Sequence, residues 1–214
     1  MDDLHSASGV VTFTSTDRVP LNAVKLSKAQ AVKYQYQVVD NWKPRSDVWP
    51  ITCGPLISGL AAAAGGMKLN SIFRRHYQLK TFARVATYMP IAILPGGAAL
   101  MLHTAISADI LIMNTKCVVC TQTKAIACQL VFGVLYPSVI APLACLSFAV
   151  RYNTYAVPPV KTHYRHIFID ATTTLKKKGN TLAALSAAQC IVAFLLMHGQ
   201  MNSVFKMQRK LSEM

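Results

Sequence analysis

Charged residues are scarce in this sequence, and acidic residues are the scarcest. Only 14% of the 214 residues are charged, whereas about a quarter are charged in an ordinary soluble domain. The chain has 22 Lys and Arg against 8 Asp and Glu, which gives a net charge of +14. These charges are too few to cover a surface that faces water. An apolar content of 53% argues against disorder, so the composition indicates an integral membrane protein.

Four long stretches lack acidic residues altogether, and Lys68 is the one full charge within them. A helix needs roughly 20 mostly apolar residues to cross a hydrocarbon core ~30 Å thick. The stretches that meet this length are residues 48–69, 85–106, 125–150 and 181–201. We therefore predict an all-α membrane protein built as a bundle of about four transmembrane helices.

The predicted bundle occupies residues 48–201, between a basic N-terminal arm over residues 1–47 and a C-terminal tail over residues 202–214. The first 17 residues contain no Lys or Arg. They therefore lack the basic region of a secretory signal and the Arg-rich face of a transit peptide, and any import signal is expected to be internal. The rest of the arm is interpreted as weakly structured or as a short interfacial helix.

Basic residues are divided unevenly between the two sides of the predicted bundle. The loops after the first and third spans, with Lys68, hold eleven Lys and Arg, and the other side holds eight near its spans. The positive-inside rule then places those loops inside and both termini outside. Basic residues beside span ends are expected to contact anionic lipid, cardiolipin if the membrane is mitochondrial; they are Arg74, Arg75, Lys176, Lys177 and Lys178. A solvated loop would explain them equally well, and no nucleic-acid partner is expected.

Small residues and prolines are common in the predicted spans. Small residues four apart let helices approach closely in lipid, where apolar burial gives no driving force. The residues predicted to pack helices together are Gly54, Ser58, Gly59, Ala63, Gly96, Gly97, Tyr136 and Pro137. The prolines favour kinks that let the helices pack, and a bent helix that lines a transport cavity is the alternative. The spans hold no acid at mid-membrane, which disfavours an ion-coupled transporter.

Cysteines are few, and two of the six form a Cys117-x-x-Cys120 pair in the polar middle loop. Two ligands are too few for zinc, which takes four. The thioredoxin-like context that redox catalysis needs is missing. A structural disulfide between Cys117 and Cys120, or two idle thiols, is the prediction that is left. The chain also lacks a phosphate-cradling glycine loop, a nucleophile elbow and a zinc-protease helix, so we predict no catalytic residue, metal or cofactor.

Several short motifs resemble the transmembrane protein 126 family, in order and in spacing, over about residues 50–165. Asn70-Ser71-Ile72-Phe73-Arg74-Arg75 follows the first span, and Cys117-x-x-Cys120-Thr121 precedes the third. Leu135-Tyr136-Pro137 lies within the third span. Arg151-Tyr152-x-x-Tyr155-x-Val157-Pro158-Pro159 comes after it.

This resemblance implies a multi-pass protein of the mitochondrial inner membrane that assists assembly of respiratory complex I. Members of that family are non-catalytic scaffolds that hold new membrane-arm subunits together with other assembly factors. The cysteine pair is more similar to A-type members than to B-type members. If the membrane is the mitochondrial inner membrane, the charge distribution would place the loop that holds Cys117 and Cys120 in the intermembrane space, where a disulfide persists.

Three functional hypotheses follow from these observations. The first is a membrane scaffold that docks partner helices. The second is a small-solute transporter or channel of an organelle membrane, suggested by the prolines and by Gly96 and Gly97. The third is a thiol oxidoreductase that uses Cys117 and Cys120.

Overall fold

A computed structural model describes residues 26–115, 117–155 and 164–213, and within these ranges the chain is helical with no strand. The first 25 residues of the predicted arm, Lys116, residues 156–163 and residue 214 lie outside the described residues. Its helices, in chain order, are α1 Lys28–Asn41, α2 Trp49–His76, α3 Arg84–Leu111, α4 Val118–Leu130, α5 Tyr136–Tyr152, α6 Tyr164–Lys177 and α7 Gly179–Ser212.

Four helices are long and apolar enough to cross a membrane, which confirms the predicted fold class. They are α2, α3, the continuous helix Val118–Tyr152, and α7. The 28 residues of α2 give it a length of about 42 Å, more than the hydrocarbon core requires. Each helix extends past the apolar stretch that marks it in the sequence. Hydropathy shows only the part in hydrocarbon, whereas a helix continues through the polar interface; α7, for example, runs through the predicted tail to Ser212.

The third span changes winding where α4 meets α5. Residues Val131–Leu135 form a π-helical segment between them. Pro137, two residues after this segment, has no N–H to donate to the carbonyl of Gly133, which would be its partner in a regular α-helix. The extra residue in the π turn widens the backbone next to this missing bond.

The described segment of the arm contains α1, which begins with a capping box. Ser27 Oγ accepts a bond from the N–H of Gln30, and Gln30 Oε1 accepts one from the N–H of Ser27. A Ser followed three residues later by Gln is a recognisable sequence pattern for the start of a helix. α1 contacts α3, and Lys28 Nζ lies 2.7 Å from Asp109 Oδ1 near the end of that helix.

α2 is the central helix, because it contacts α3, the third span and α7. The bundle has two ends, which we name here. The basic end comprises the last turn of α2, the connection at residues 77–83, the first turn of α3, and α6 with Lys178. The terminal end comprises α1, a 3-10 turn at Arg45–Asp47 and the last turns of α7. Of the acidic residues that the structure describes, Asp170 alone lies at the basic end.

The last turns of α7 are held at the terminal end by Asp47. Lys210 Nζ lies 2.7 Å from one carboxylate oxygen, and Lys206 Nζ lies 3.9 Å from the other. The hydrogen bond from Lys210 and the charges of both lysines lower the pKa of Asp47. Beneath this contact, Val204 and Met207 of α7 pack with Trp42 and Val48.

Asp47→Asn is expected to loosen the end of α7, because Lys206 and Lys210 lose their anionic partner. Hydrogen–deuterium exchange of the detergent-solubilised chain should be faster over residues 204–211. Glu213→Gln is the matched control, since Glu213 pairs with Arg209 at the exposed end of the same helix. Equal protection in the wild type and Asp47→Asn would contradict the anchor.

The same contact sets a pH dependence. A folded-state pKa below the unfolded value means that the stabilisation is present above an unfolded pKa of about 3.9. It is lost as the pH falls through the lower folded-state pKa. Protection of residues 204–211 should therefore be unchanged between neutral pH and pH ~5 and should fall only in stronger acid.

Candidate functional site

The contact between α2 and α3 is a direct approach of two backbones at paired glycines. A Cβ placed on Gly59 would lie 2.8 Å from the carbonyl oxygen of Gly96, and one placed on Gly96 would lie 3.0 Å from that of Gly59. Ala63 belongs to the same contact, because its Cβ would lie 3.2 Å from a Cβ placed on Gly96. Of the residues predicted to pack helices, these three are brought together.

Two further glycines of α2 face carbonyls that prolines leave without a helical donor. Gly66 lies against the carbonyl oxygen of Ile91, and Gly65 against that of Gly133. Ile91 and Gly133 are four residues before Pro95 and Pro137, so both carbonyls lack their regular N–H partner. A side chain on either glycine would overlap the oxygen. Glycine lets its Cα–H approach instead, which is a weak but favourable contact.

A chain of buried amides joins α2, α4 and α7 within the membrane. Ser58 Oγ donates to Gln129 Oε1 at 2.7 Å, and Gln129 Nε2 donates to Gln189 Oε1 at 2.7 Å. Gln189 Nε2 in turn donates to the carbonyl of Ala61 at 2.9 Å. Polar groups in hydrocarbon need partners within the protein, and here three helices supply them to one another.

A second buried group joins α2, α3 and α7 nearer the terminal end. Gln200 Nε2 donates to the carbonyl of Pro50 at 3.0 Å, and Gln200 Oε1 accepts from Ser107 Oγ at 2.9 Å. His103 Nε2 lies 3.2 Å from Gln200 Nε2. Gly54 leaves the room for this amide, because a Cβ there would lie 2.5 Å from Gln200 Nε2.

The remaining predicted packing residues occupy different positions. Pro137 is buried against α2 near Gly66, and Tyr136 is half-buried at the start of α5. Gly97 has open space around it, because a Cβ there would meet nothing within 4 Å. The polar residues Gln129, Gln189 and Gln200 were not among the predicted sites, although an amide in an uncharged span is a readable signal for a helix contact.

At the basic end, Arg74 organises the α2–α3 connection. Its guanidinium donates to the carbonyls of Lys80 and Phe82, both at 2.9 Å, to that of Ala83 at 3.3 Å, and to Thr87 Oγ1 at 2.7 Å. Arg74 is only 5% exposed. The bonds hold a tight turn in which Gln78, Lys80 and Ala83 all have positive φ, a costly conformation for these residues.

A cavity of about 640 Å³ opens beside this turn. Its lining includes Arg74, Arg75, Lys80 and Arg84, together with Ser71 and Tyr88. The Arg74 guanidinium lies 5.5 Å from the centre of the Tyr88 ring. No carboxylate is part of the lining, and among the described residues none of the four cations makes an ion pair.

α6 packs beside the same end but supplies nothing to that cavity. Asp170 Oδ2 lies 2.8 Å from His76 Nε2, which ties α6 to the last turn of α2. Lys176, Lys177 and Lys178 are all exposed after that contact. The predicted basic clusters are therefore two separate features: one lines a cavity and the other is open to the surroundings.

The cysteine pair lies at the start of the third span. Cys117 is the N-cap of α4, and its Sγ accepts from the N–H of Cys120 at 3.2 Å. Both are exposed free thiols. Hydrogen bonds from the thiol and the N–H of Cys120 lower the pKa of Cys117. The disulfide stays a prediction, which labelling before and after reduction would test. Within the described residues, no group of three His, Cys, Asp or Glu is placed to hold a metal ion.

Comparison with known proteins finds one family over most of the chain. The family model for Transmembrane protein 126 matches residues 30–213. The chain is 28% identical to Transmembrane protein 126 of Drosophila melanogaster over 199 residues, which are 92% of this chain and 89% of the fly protein. No solved structure matches it.

Two mammalian relatives match a shorter part. Transmembrane protein 126A of Rattus norvegicus is 36% identical over 116 residues, 54% of this chain and 59% of the rat protein. The mouse protein named complex I assembly factor TMEM126B, mitochondrial, is 29% identical over 110 residues, 50% of this chain and 46% of its own length.

Gly66→Ala is expected to destabilise the bundle, because its methyl group would meet the carbonyl of Ile91. Overpacking of this kind costs about 1–3 kcal/mol, so the thermal midpoint in detergent should fall by several degrees. Gly97→Ala is the matched control, since its methyl group enters open space and alanine is the better helix former. A similar midpoint for both variants would refute the close contact.

Cys120→Ala is expected to slow alkylation of Cys117 in the reduced protein. The substitution keeps the backbone N–H but removes the thiol donor that lowers the Cys117 pKa, so less thiolate is present near neutral pH. Mass spectrometry of maleimide-treated protein measures the rate at each cysteine. Cys53→Ala, which removes an exposed thiol elsewhere, should change nothing; an unchanged Cys117 rate in Cys120→Ala would show that the thiol contact has no effect.

Proposed function

The chain belongs to the transmembrane protein 126 family, and from this premise we propose that it is a non-catalytic protein of the mitochondrial inner membrane. Its proposed role is to scaffold assembly of the membrane arm of respiratory complex I by docking partner transmembrane helices. The partners would be membrane-arm subunits and other assembly factors. The mouse relative's name, a complex I assembly factor of mitochondria, supports both the role and the organelle.

The observation that carries the proposal is the contrast between the inside and the outside of the bundle. Inside, the amides of Gln129, Gln189 and Gln200 are paired with groups on other helices. Outside, every span presents large exposed apolar side chains; examples are Leu60, Ile93, Met101, Val139, Leu143, Ile191 and Leu195. These three glutamine amides are satisfied between helices, whereas the buried Asn70 Nδ2 of α2 has no hydrogen-bond partner. A bundle joined in this way and apolar on its outside is suited to contact lipid and partner helices.

The same packing supports a scaffold over a solute transporter. A transport site in a broken helix would use free backbone carbonyls or an unpaired polar group at mid-membrane. Here the carbonyls of Ile91 and Gly133, which Pro95 and Pro137 leave open, lie against Gly66 and Gly65. The contacts at Pro95 and Pro137 therefore support helix packing and not a transport site at these two positions.

We further propose that the basic end faces the matrix and contacts anionic lipid such as cardiolipin. Its basic residues include Arg74, Arg75 and Lys176–Lys178, and one acid, Asp170, accompanies them among the described residues. The terminal end carries Asp40, Asp47 and Asp109 beside its lysines. The positive-inside rule counts Lys and Arg, and the side that includes the basic end holds more of them near the spans, eleven against eight.

Cells that lack the protein are expected to accumulate incomplete membrane-arm assemblies of complex I. Blue-native electrophoresis of mitochondria measures these intermediates, and re-expression of the wild type should remove them. Normal complex I in such cells would refute the proposal. Re-expression of the Cys117→Ser and Cys120→Ser double variant distinguishes the scaffold from the thiol oxidoreductase. If the protein is a scaffold, the double variant should restore complex I assembly. If it is a thiol oxidoreductase, the double variant should not.

A further inference from the structure

The cavity at the basic end has the properties of a binding site and not only of a basic surface. Three of its cations, Arg75, Lys80 and Arg84, have no ion pair or side-chain hydrogen bond within the described part of the chain. The lining contains no carboxylate that could neutralise them. Three unpaired like charges around one cavity repel one another, and an anion between them would remove that repulsion.

Arg74 has a different task at this site. It is buried, and its guanidinium is occupied by the carbonyls of Lys80, Phe82 and Ala83. It therefore fixes the turn that carries Lys80 into the lining while it adds its charge to the cavity. The site is organised before a ligand arrives, which lowers the cost of binding.

The size and place of the cavity indicate what it holds. Its volume of about 640 Å³ lies within the range of roughly 300–1,000 Å³ that is typical of small-molecule sites. It is formed by the last turn of α2 and the first turns of α3, where both spans leave the hydrocarbon. Three free cations exceed the single negative charge of one phosphodiester, and the two negative charges of a headgroup with two phosphates come closer to balancing them.

We propose that this cavity binds one phospholipid headgroup that carries two phosphates, with Arg75, Lys80 and Arg84 as its direct partners. Arg74 is a positioning residue that holds the turn. The exposed Lys176–Lys178 triplet attracts anionic lipid only diffusely. The inference deepens the proposed contact with anionic lipid, and it does not depend on the role in complex I assembly.

Native mass spectrometry of the full chain in detergent tests this inference, with cardiolipin as the two-phosphate probe and phosphatidylglycerol as the one-phosphate probe. The wild type should retain one cardiolipin more strongly than phosphatidylglycerol. Each lost cation should weaken retention on the order of fivefold, so the triple variant Arg75→Gln, Lys80→Gln, Arg84→Gln should lose on the order of a hundredfold.

The control removes equal charge from the same end through Lys176→Gln, Lys177→Gln and Lys178→Gln, and it should keep the bound cardiolipin. Equal losses in the two triple variants, or no loss in the first, would overturn the proposal. Inorganic pyrophosphate is the soluble two-phosphate probe: if it binds while cardiolipin does not, the ligand is a free anion and the lipid assignment is wrong. Because binding is measured on purified protein, the result is separate from any defect in complex I.

Discussion

The constraint on which this structure depends is that every backbone carbonyl in the hydrocarbon needs a partner inside the protein. Pro95 and Pro137 create two carbonyls that lack one. Consecutive glycines of α2 lie against both, so that α3 approaches Gly66 and the π-helical segment Val131–Leu135 approaches Gly65. α2, at the centre of the bundle, thus lies against both of these carbonyls.

The buried amides and the glycine contacts have different roles in helix packing. Glycine contacts bring backbones close, but they do not fix how far one helix slides along another. Gln129 and Gln189 do this for α4 and α7, since each must reach a particular partner on a neighbouring helix. The π segment at Val131–Leu135 lies beside them, and a Cβ on its Gly133 would come within 2.6 Å of the Gln189 side chain.

The four spans could be predicted from the sequence because an uncharged, apolar stretch of some 20 residues is usually a membrane-spanning helix. The small-residue spacing also pointed to Gly59 and Ala63, which lie against Gly96. It could not show that Gly97 faces open space while Gly65 and Gly66 are covered, because glycine gives no sign of which side of a helix is occupied. Nor could the run Arg74-Arg75 reveal that one arginine is buried in a turn and its neighbour is exposed. That difference arises from positive φ values at Gln78, Lys80 and Ala83, which the residue types there do not favour.

Most residues of the motif Asn70–Arg75 have a role in helix packing. Asn70 and Phe73 are fully buried, and Cys145 Sγ donates to Asn70 Oδ1 at 3.2 Å, which joins α2 to α5. One residue later, Arg74 closes the turn into α3. The segment thus connects the packed centre of the bundle to the basic cavity through a single helical turn. A change that shifts α2 against α5 would also move the turn that carries Lys80, so the integrity of the bundle and the shape of the cavity are physically coupled.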